Sequence, residues 1–369
     1  MTEKKVEVNP PGFFIKEELE ARGWSQRDLA FVLGQTEQQL NPLLSGKRAI
    51  SADMARLLGD AFDVDAQFFG NLQSQYDIGR AKEPDSGVRT RASLQGRFPV
   101  REMIRRGWIQ DTEGSLLEMQ VRQFFEAENE NWTSDLAFAA KRTHYGETPP
   151  VQLAWVYRVR QLARNIAVPE FSPKMLRDRL TDLRALMIHP EAVSEALGIL
   201  QECGVRVVIV ESLPGAKIDG VCTWLDEKSP VIGLSTLHDR LDNFWFVLRH
   251  EIEHVLQGDG KNGIGMLDNL SVEESTEDCE VRANREAANF CVPLDKMSSF
   301  YARKHPYFSE RDVIGFASVM GVHPAIVIGQ LQKRLGRYDY LRKYQVSVRK
   351  HLLSAAVADG WGLQQAGGF

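Results

Sequence analysis

No apolar run in the 369 residues approaches the ~18 consecutive residues of a spanning helix, which leaves no candidate for a helical membrane segment. The N-terminal MTEKKVEVNPPG also lacks the apolar core of a secretory signal, so the expected location is cytoplasmic, with no membrane partner. Cysteine is scarce. The four residues Cys203, Cys222, Cys279 and Cys291 show no CxxC spacing, which argues against both a disulfide framework and a thiolate zinc site and leaves reduced, packed thiols. Neither an internal repeat nor a long low-complexity tract occurs. What remains is 43% apolar and 26% charged residues with a net charge of −5, the balance of an ordinary globular protein with two or three domains.

The organisation shows as changes of hydrophobic period. Residues 12–77 divide into GFFIKEELEARG, SQRDLAFVLG, TEQQLNPLLSGK, SADMARLLGDAF and AQFFGNLQSQYD, five short helical stretches with Gly or Ser/Thr/Asp at most boundaries. A compact helical domain over 1–80 is expected, followed by a linker and helical middle region over 81–150 that opens with the Pro/Gly/Ser-bearing AKEPDSGVRTRASLQGR. Trp108, Phe124 and Phe125 in that region are read as core residues. Helical periodicity continues from Val151 to about His189, and three strands follow: VRVVIV at 205–210, DGVCTWL at 219–225 and PVIGLS at 230–235. The fold class predicted is mainly α (α+β), with a small β-sheet packed on the long helix LDNFWFVLRHEIEHVLQ in a domain over 151–340 and a tail over 341–369.

That helix carries HExxH. His250 and His254 stand one turn apart on one face, so both imidazoles can reach a single ion, and Glu251 is placed to take a proton from a bound water instead of ligating. Two histidines do not complete a catalytic zinc site, so a third ligand must come from elsewhere. The candidate is Glu280, which opens EVRANREAANFCVP, an Ala-faced second helix on which Asn284, at i+4, can hydrogen-bond the free nitrogen of a ligand histidine. PVIGLS, just before the HExxH helix, is a candidate edge on which an extended peptide could add as a further strand.

FWFVLRHEIEH followed by EVRANREAANFCVP resembles the ImmA/IrrE family of zinc metallopeptidases, which pairs HExxH with a second helix of the form ExxAN…AA…P. His250, Glu251 and His254 fall on the first motif, and Glu280, Ala283, Asn284, Ala287, Ala288 and Pro293 on the second. The resemblance covers about residues 151–340 and implies a zincin-like metallopeptidase with one zinc per chain, manganese being the other candidate metal. His250, His254 and Glu280 would hold the ion, with Glu251 as general base. Two positions depart from the family pattern: Glu253 stands where HELGH has Gly, and Arg249 replaces a small residue. Glu253 lies off the ligand face and reads as a solvated or Arg-paired carboxylate.

Residues 25–47, SQRDLAFVLGQTEQQLNPLLSGK, have the helix-turn-helix rhythm and resemble XRE-type DNA-binding domains of the HigA-like antitoxin branch. By that resemblance Glu37, Gln38, Gln39 and Asn41 would face base edges, Gln26, Lys47 and Arg48 would lie near phosphates, and double-stranded DNA would be bound by a homodimer. Charge works against it: residues 1–80 hold nine Lys/Arg against twelve Asp/Glu, and Pro42 interrupts the donors of the recognition helix. VRTRASLQGRFPVREMIRR at 88–106, with six Arg and Glu102 as its one acid, is a basic stretch able to supply phosphate contacts. Two functions follow as expectations. One is a metallo-endopeptidase cutting a repressor- or antitoxin-like regulator in stress, toxin-antitoxin or mobile-element control; the other is a DNA-binding repressor whose zincin part is a non-catalytic sensor.

Overall fold

A computed structural model describes residues 9–83, 85–127, 148–261, 266–268 and 278–362. The chain divides into two compact units, Met1–Asp85 and Ser86–Phe369.

In the first unit the five expected helices form: α1 Pro11–Arg22, α2 Gln26–Val32, α3 Glu37–Leu44, α4 Ala52–Phe62 and α5 Ala66–Arg80. Their starts are set by side chains that satisfy the otherwise unpaired N–H groups of a first turn. Ser25 and Asp28 form a reciprocal capping box on α2, Thr36 and Gln39 form another on α3, and Ser51 and Asp65 cap α4 and α5. Pro42 does not break α3; the helix continues to Leu44, and the Pro42 carbonyl accepts from the N–H groups of Lys47 and Arg48. Ile15, Leu29, Leu40, Leu58, Phe62 and Phe69 close one core with at most 1% exposure, so each contributes most of its transfer free energy.

The second unit is built on a sheet with strand order β4-β2-β3-β1-β5, where β1 is Arg206–Val210, β2 Gly220–Trp224, β3 Pro230–Leu234, β4 Met266–Asp268 and β5 Val357–Asp359. β1 runs parallel to β3 and to β5, whereas β2 is antiparallel to β3 and β4. Alternation along β1 sends Val207 and Ile209 to one face and Val208 and Val210 to the other, and both faces are covered, which is why VVIV is apolar without a break. One face meets α10 Pro173–Ala185, α11 Val193–Glu202, α12 Leu241–Gln257 and the helices that follow. The other meets α6 Ser86–Gln95, α7 Val100–Arg105, α8 Gly114–Phe124 and α9 Pro150–Arg164, whose Trp155 is fully buried and donates through Nε1 to the Val210 carbonyl at 3.0 Å. Trp108, Phe124 and Phe125 are buried here, as their apolar surface requires.

Three readings change. Residues 86–125, expected as linker and middle region, form part of the cover of the sheet. Of the stretch expected as a tail, the short helix Arg349–Leu353 adds Leu352 to the core and β5 extends the sheet beside β1. PVIGLS cannot accept a peptide strand, because β3 is hydrogen-bonded on both sides, to β1 and β2. Among the described residues no single helix is long and apolar enough to cross a membrane. The four cysteines are unbridged, and full burial pushes the Cys291 thiol up to about 12.

β5 is held by a charge as well as by its ladder. The buried Asp359 carboxylate accepts from Trp108 Nε1 at 3.0 Å and pairs with Arg158 on α9. Asp359→Ala strands a guanidinium and an indole N–H, and a loss of ~3–5 kcal/mol is expected in urea unfolding. Trp108→Phe, which keeps the ion pair, should lose less polar stabilisation; a shift below ~1 kcal/mol for Asp359→Ala would rule out this anchor.

Candidate metal centre

α12 is helical because Leu241, Phe244, Trp245, Leu248, Ile252 and Val255 recur at helical spacing and are buried, and it stops at Gly258, whose φ of 73° is the left-handed conformation of a C-cap. The second helix, α13 Asp278–Cys291, buries Glu280, Ala283, Ala287 and Cys291, one face with small residues in its middle. Alanines there allow α13 to approach α12 closely enough for the Glu280 carboxylate to reach both imidazoles. His250 Nε2 lies 3.0 Å from His254 Nε2, Glu280 Oε2 lies 3.2 Å from His250 Nε2, and Oε1 lies 3.1 Å from His254 Nε2.

The three side chains therefore converge as their HExxH and second-helix positions require, and they are the one such cluster of three ligand-type residues among those described. Donors held at 2.0–2.1 Å around a tetrahedral ion sit roughly 3.3 Å apart, so a triangle with edges of 3.0–3.2 Å fits one small divalent cation. Two imidazole nitrogens and a carboxylate are a donor set suited to zinc. The rings are 0% exposed and Glu280 3%. Burial by itself would push the Glu280 carboxyl up, but hydrogen bonding and charge from His250 and His254 outweigh it and hold the group well below the ordinary carboxylate range.

Glu251 is fully buried, and its carboxylate lies against β2 at Gly220, where a β-carbon would clash with it. The glycine is therefore a clearance for the expected base, a contact between positions thirty-one apart that no local pattern announces. The partner of a ligand ring also differs from expectation. His254 Nδ1 meets Asp259 Oδ2 at 2.9 Å, whereas Asn284, half-buried on α13, makes no hydrogen bond to either imidazole among the described residues. The left-handed turn at Gly258 folds Asp259 back over the last turn of α12, and the Asp259 N–H donates to the His254 carbonyl at 2.9 Å. The dipeptide Gly258-Asp259, one helical turn past the end of HExxH, was the available signal. Glu253 is buried and Arg-paired, accepting from Arg249 Nη2 at 2.9 Å, and the Arg249 guanidinium lies over the Phe290 ring at 5.7 Å.

In the first unit, Gln26, Glu37, Gln38, Gln39, Asn41, Lys47 and Arg48 are all exposed. Two of them are engaged: Gln39 Oε1 accepts from the Thr36 N–H at 2.9 Å, and Glu37 pairs with Arg27 at 2.9 Å. Gln38, Asn41, Lys47 and Arg48 make no side-chain hydrogen bond or ion pair among the described residues. Of the basic stretch 88–106, Arg89, Arg91, Arg97, Arg101 and Arg105 are exposed, whereas Arg106 is half-buried and bound to Glu102 and Glu211.

A cation at the triangle would bind the folded chain alone, so zinc at a hundredfold excess over its Kd should add ~2.7 kcal/mol of stability. Thermal melts with zinc and with chelator measure this, and Glu280→Ala should erase the difference; an equal zinc shift in that variant would place the metal elsewhere.

A helix-turn-helix family model matches residues 15–69, and a peptidase-family model described as an IrrE N-terminal-like domain matches residues 201–327. The chain is 38% identical over 78 residues to virulence-associated protein A' of Dichelobacter nodosus, a match covering 20% of this chain and 68% of that protein. It is also similar, at 34% identity over 24% of this chain and 95% of the other, to a solved structure of PA4674 in complex with its operator DNA from Pseudomonas aeruginosa, with a TM-score of 0.21. The chain thus belongs to the XRE-type helix-turn-helix family through its first unit and carries an IrrE/ImmA-like peptidase-family domain in its second.

Proposed function

We propose that the chain is a zinc-dependent endopeptidase that cleaves a protein regulator, repressor- or antitoxin-like, and that its first unit binds double-stranded DNA as a homodimer. The observation that carries the peptidase reading is the buried triangle of His250, His254 and Glu280 with Glu251 on the adjoining position of the same helix. His250, His254 and Glu280 would hold the ion, which when bound supplies Lewis-acid polarisation of a carbonyl and a water of lowered pKa. Glu251 then takes the proton of the attacking water and delivers it to the departing amine nitrogen, so that one carboxylate serves both halves of amide hydrolysis. Gly220 keeps that carboxylate seated, and Asp259 fixes the ring of His254. Burial strengthens each of these interactions, since the charges act with little water between them.

The regulator as substrate is supported by the joining of a peptidase-family domain to a DNA-binding-type module on one chain. DNA binding is supported by the capped α3, which presents Gln38 and Asn41 outward with Lys47 and Arg48 just beyond its end. With a net −3 over residues 1–80, the exposed cations Lys47 and Arg48 are the phosphate contacts on which the affinity of the first unit would depend.

Purified protein loaded with zinc and incubated with candidate regulators should cleave one of them, and Glu251→Gln should lose at least a hundredfold in rate while retaining metal. Gly220→Ala should lose about a hundredfold by displacing Glu251, again with metal retained. Metal uptake with tight operator binding and no cleavage would instead make the second unit a sensor. For the first unit, fluorescence anisotropy should give DNA affinity that falls with salt; replacing Lys47 and Arg48 by Ala should lower the slope by about two. An unchanged slope would remove these two residues from the interface.

A further inference from the structure

Asp259 is pinned from three directions. Its N–H donates to the His254 carbonyl, its own carbonyl accepts from Trp224 Nε1 on β2 at 2.8 Å, and its carboxylate Oδ2 lies 2.9 Å from His254 Nδ1. The same Oδ2 accepts from Arg282 Nη2 at 2.8 Å. Arg282 stands on α13 two positions after Glu280, and its Nε lies 3.5 Å from Glu253 Oε1 on α12. Glu253 in turn accepts from Arg249 Nη2 at 2.9 Å and from Gln257 Nε2 at 2.8 Å. Two cations and two carboxylates thus alternate along a line that leaves α12 at Glu253, crosses to α13 at Arg282 and returns through Asp259 to a metal-ligand candidate on α12.

The arrangement has a chemical consequence at His254. A carboxylate that already receives a guanidinium is an acceptor only, so the imidazole nitrogen facing it must carry a hydrogen, and the other nitrogen then presents its lone pair toward His250 and Glu280. We propose that Arg282, braced by Glu253, is a positioning residue for His254: by holding the Asp259 carboxylate it sets the tautomer and rotation of the ring and thereby the affinity of the site for its metal. The inference rests on the metal-binding reading above and gives the buried Glu253, off the ligand face, a purpose at the site.

The test uses the full chain, with zinc affinity from competition against a chromogenic chelator, the visible absorption of the cobalt-loaded protein, and the melting temperature of the metal-free form. Asp259→Asn should weaken zinc binding by ~10–100-fold. Arg282→Gln should weaken it by about tenfold and shift the cobalt bands, Glu253→Gln should act in the same direction, and Arg282→Lys should recover part of the loss. Because Arg282 acts through Asp259, the double variant should bind no more weakly than Asp259→Asn alone. Affinity within twofold of wild type for Arg282→Gln, or losses that multiply in the double variant, with an unchanged cobalt spectrum, would make the line a brace between helices and overturn the proposal, even if the metal-free melting temperature fell. Should Asp259→Asn not fold, Arg282→Gln and Arg282→Lys decide alone. A wild-type chain that takes up neither zinc nor cobalt would instead defeat the metal-binding reading, and the positioning role with it.

Discussion

The second unit depends on how closely α13 can lie against α12. Only because the facing positions 283 and 287 are alanine does a carboxylate from one helix come to rest between two imidazoles of the other, at 3.1–3.2 Å from each, out of contact with water. Charged groups removed from solvent in this way are tolerated when each has a partner of opposite character: the buried Arg249 and Glu253 pair with each other, and the partly exposed Arg282 links Glu253 to Asp259 just beyond the end of α12. From Arg249 to Gln257 the polar residues of the HExxH helix are engaged with one another, with Arg282 and Asp259, or at the candidate metal site, whereas near its start Asp242 pairs with Arg240 and Asn243 donates to Asp219.

The sheet gives that wedge its floor. With both faces covered, β1 to β3 are fixed in register by apolar alternation, and β2 brings Gly220 beneath Glu251 and Trp224 beside the Asp259 carbonyl. Two of the contacts that shape the site thus come from a strand that contributes no ligand. The cover on the far face, α6 to α9, is what allows the strands to be apolar on both sides, and the buried Asp359 joins that cover to β5.

The first unit obeys a different economy. Its helices are specified by caps at their starts and by one small core, and its outer face carries amides and few cations. Gln39 illustrates how such a surface is divided between uses: the position reads as a base contact, yet its amide closes the capping box with Thr36, since an unpaired N–H at the helix start is the nearer demand.

Local chemistry was legible without a structure wherever it depended on spacing along one element. The i, i+4 placement of His250 and His254, Glu251 beside them, the five helices with their Ser, Thr and Asp caps, and the three apolar strands all follow from periods of 3.6 and 2. Glu280 could be named as the candidate third ligand because the second motif lies on a single helix. What only the tertiary structure decided is what joins distant segments: that PVIGLS is interior and not an edge, that a three-residue strand near the C-terminus completes the sheet, and that Asp259, not Asn284, meets His254. Strand order, the path of the chain after a left-handed glycine and the angle between two helices are set by long-range packing, and a pattern read along the chain carries the periodicity of each element without the geometry between them.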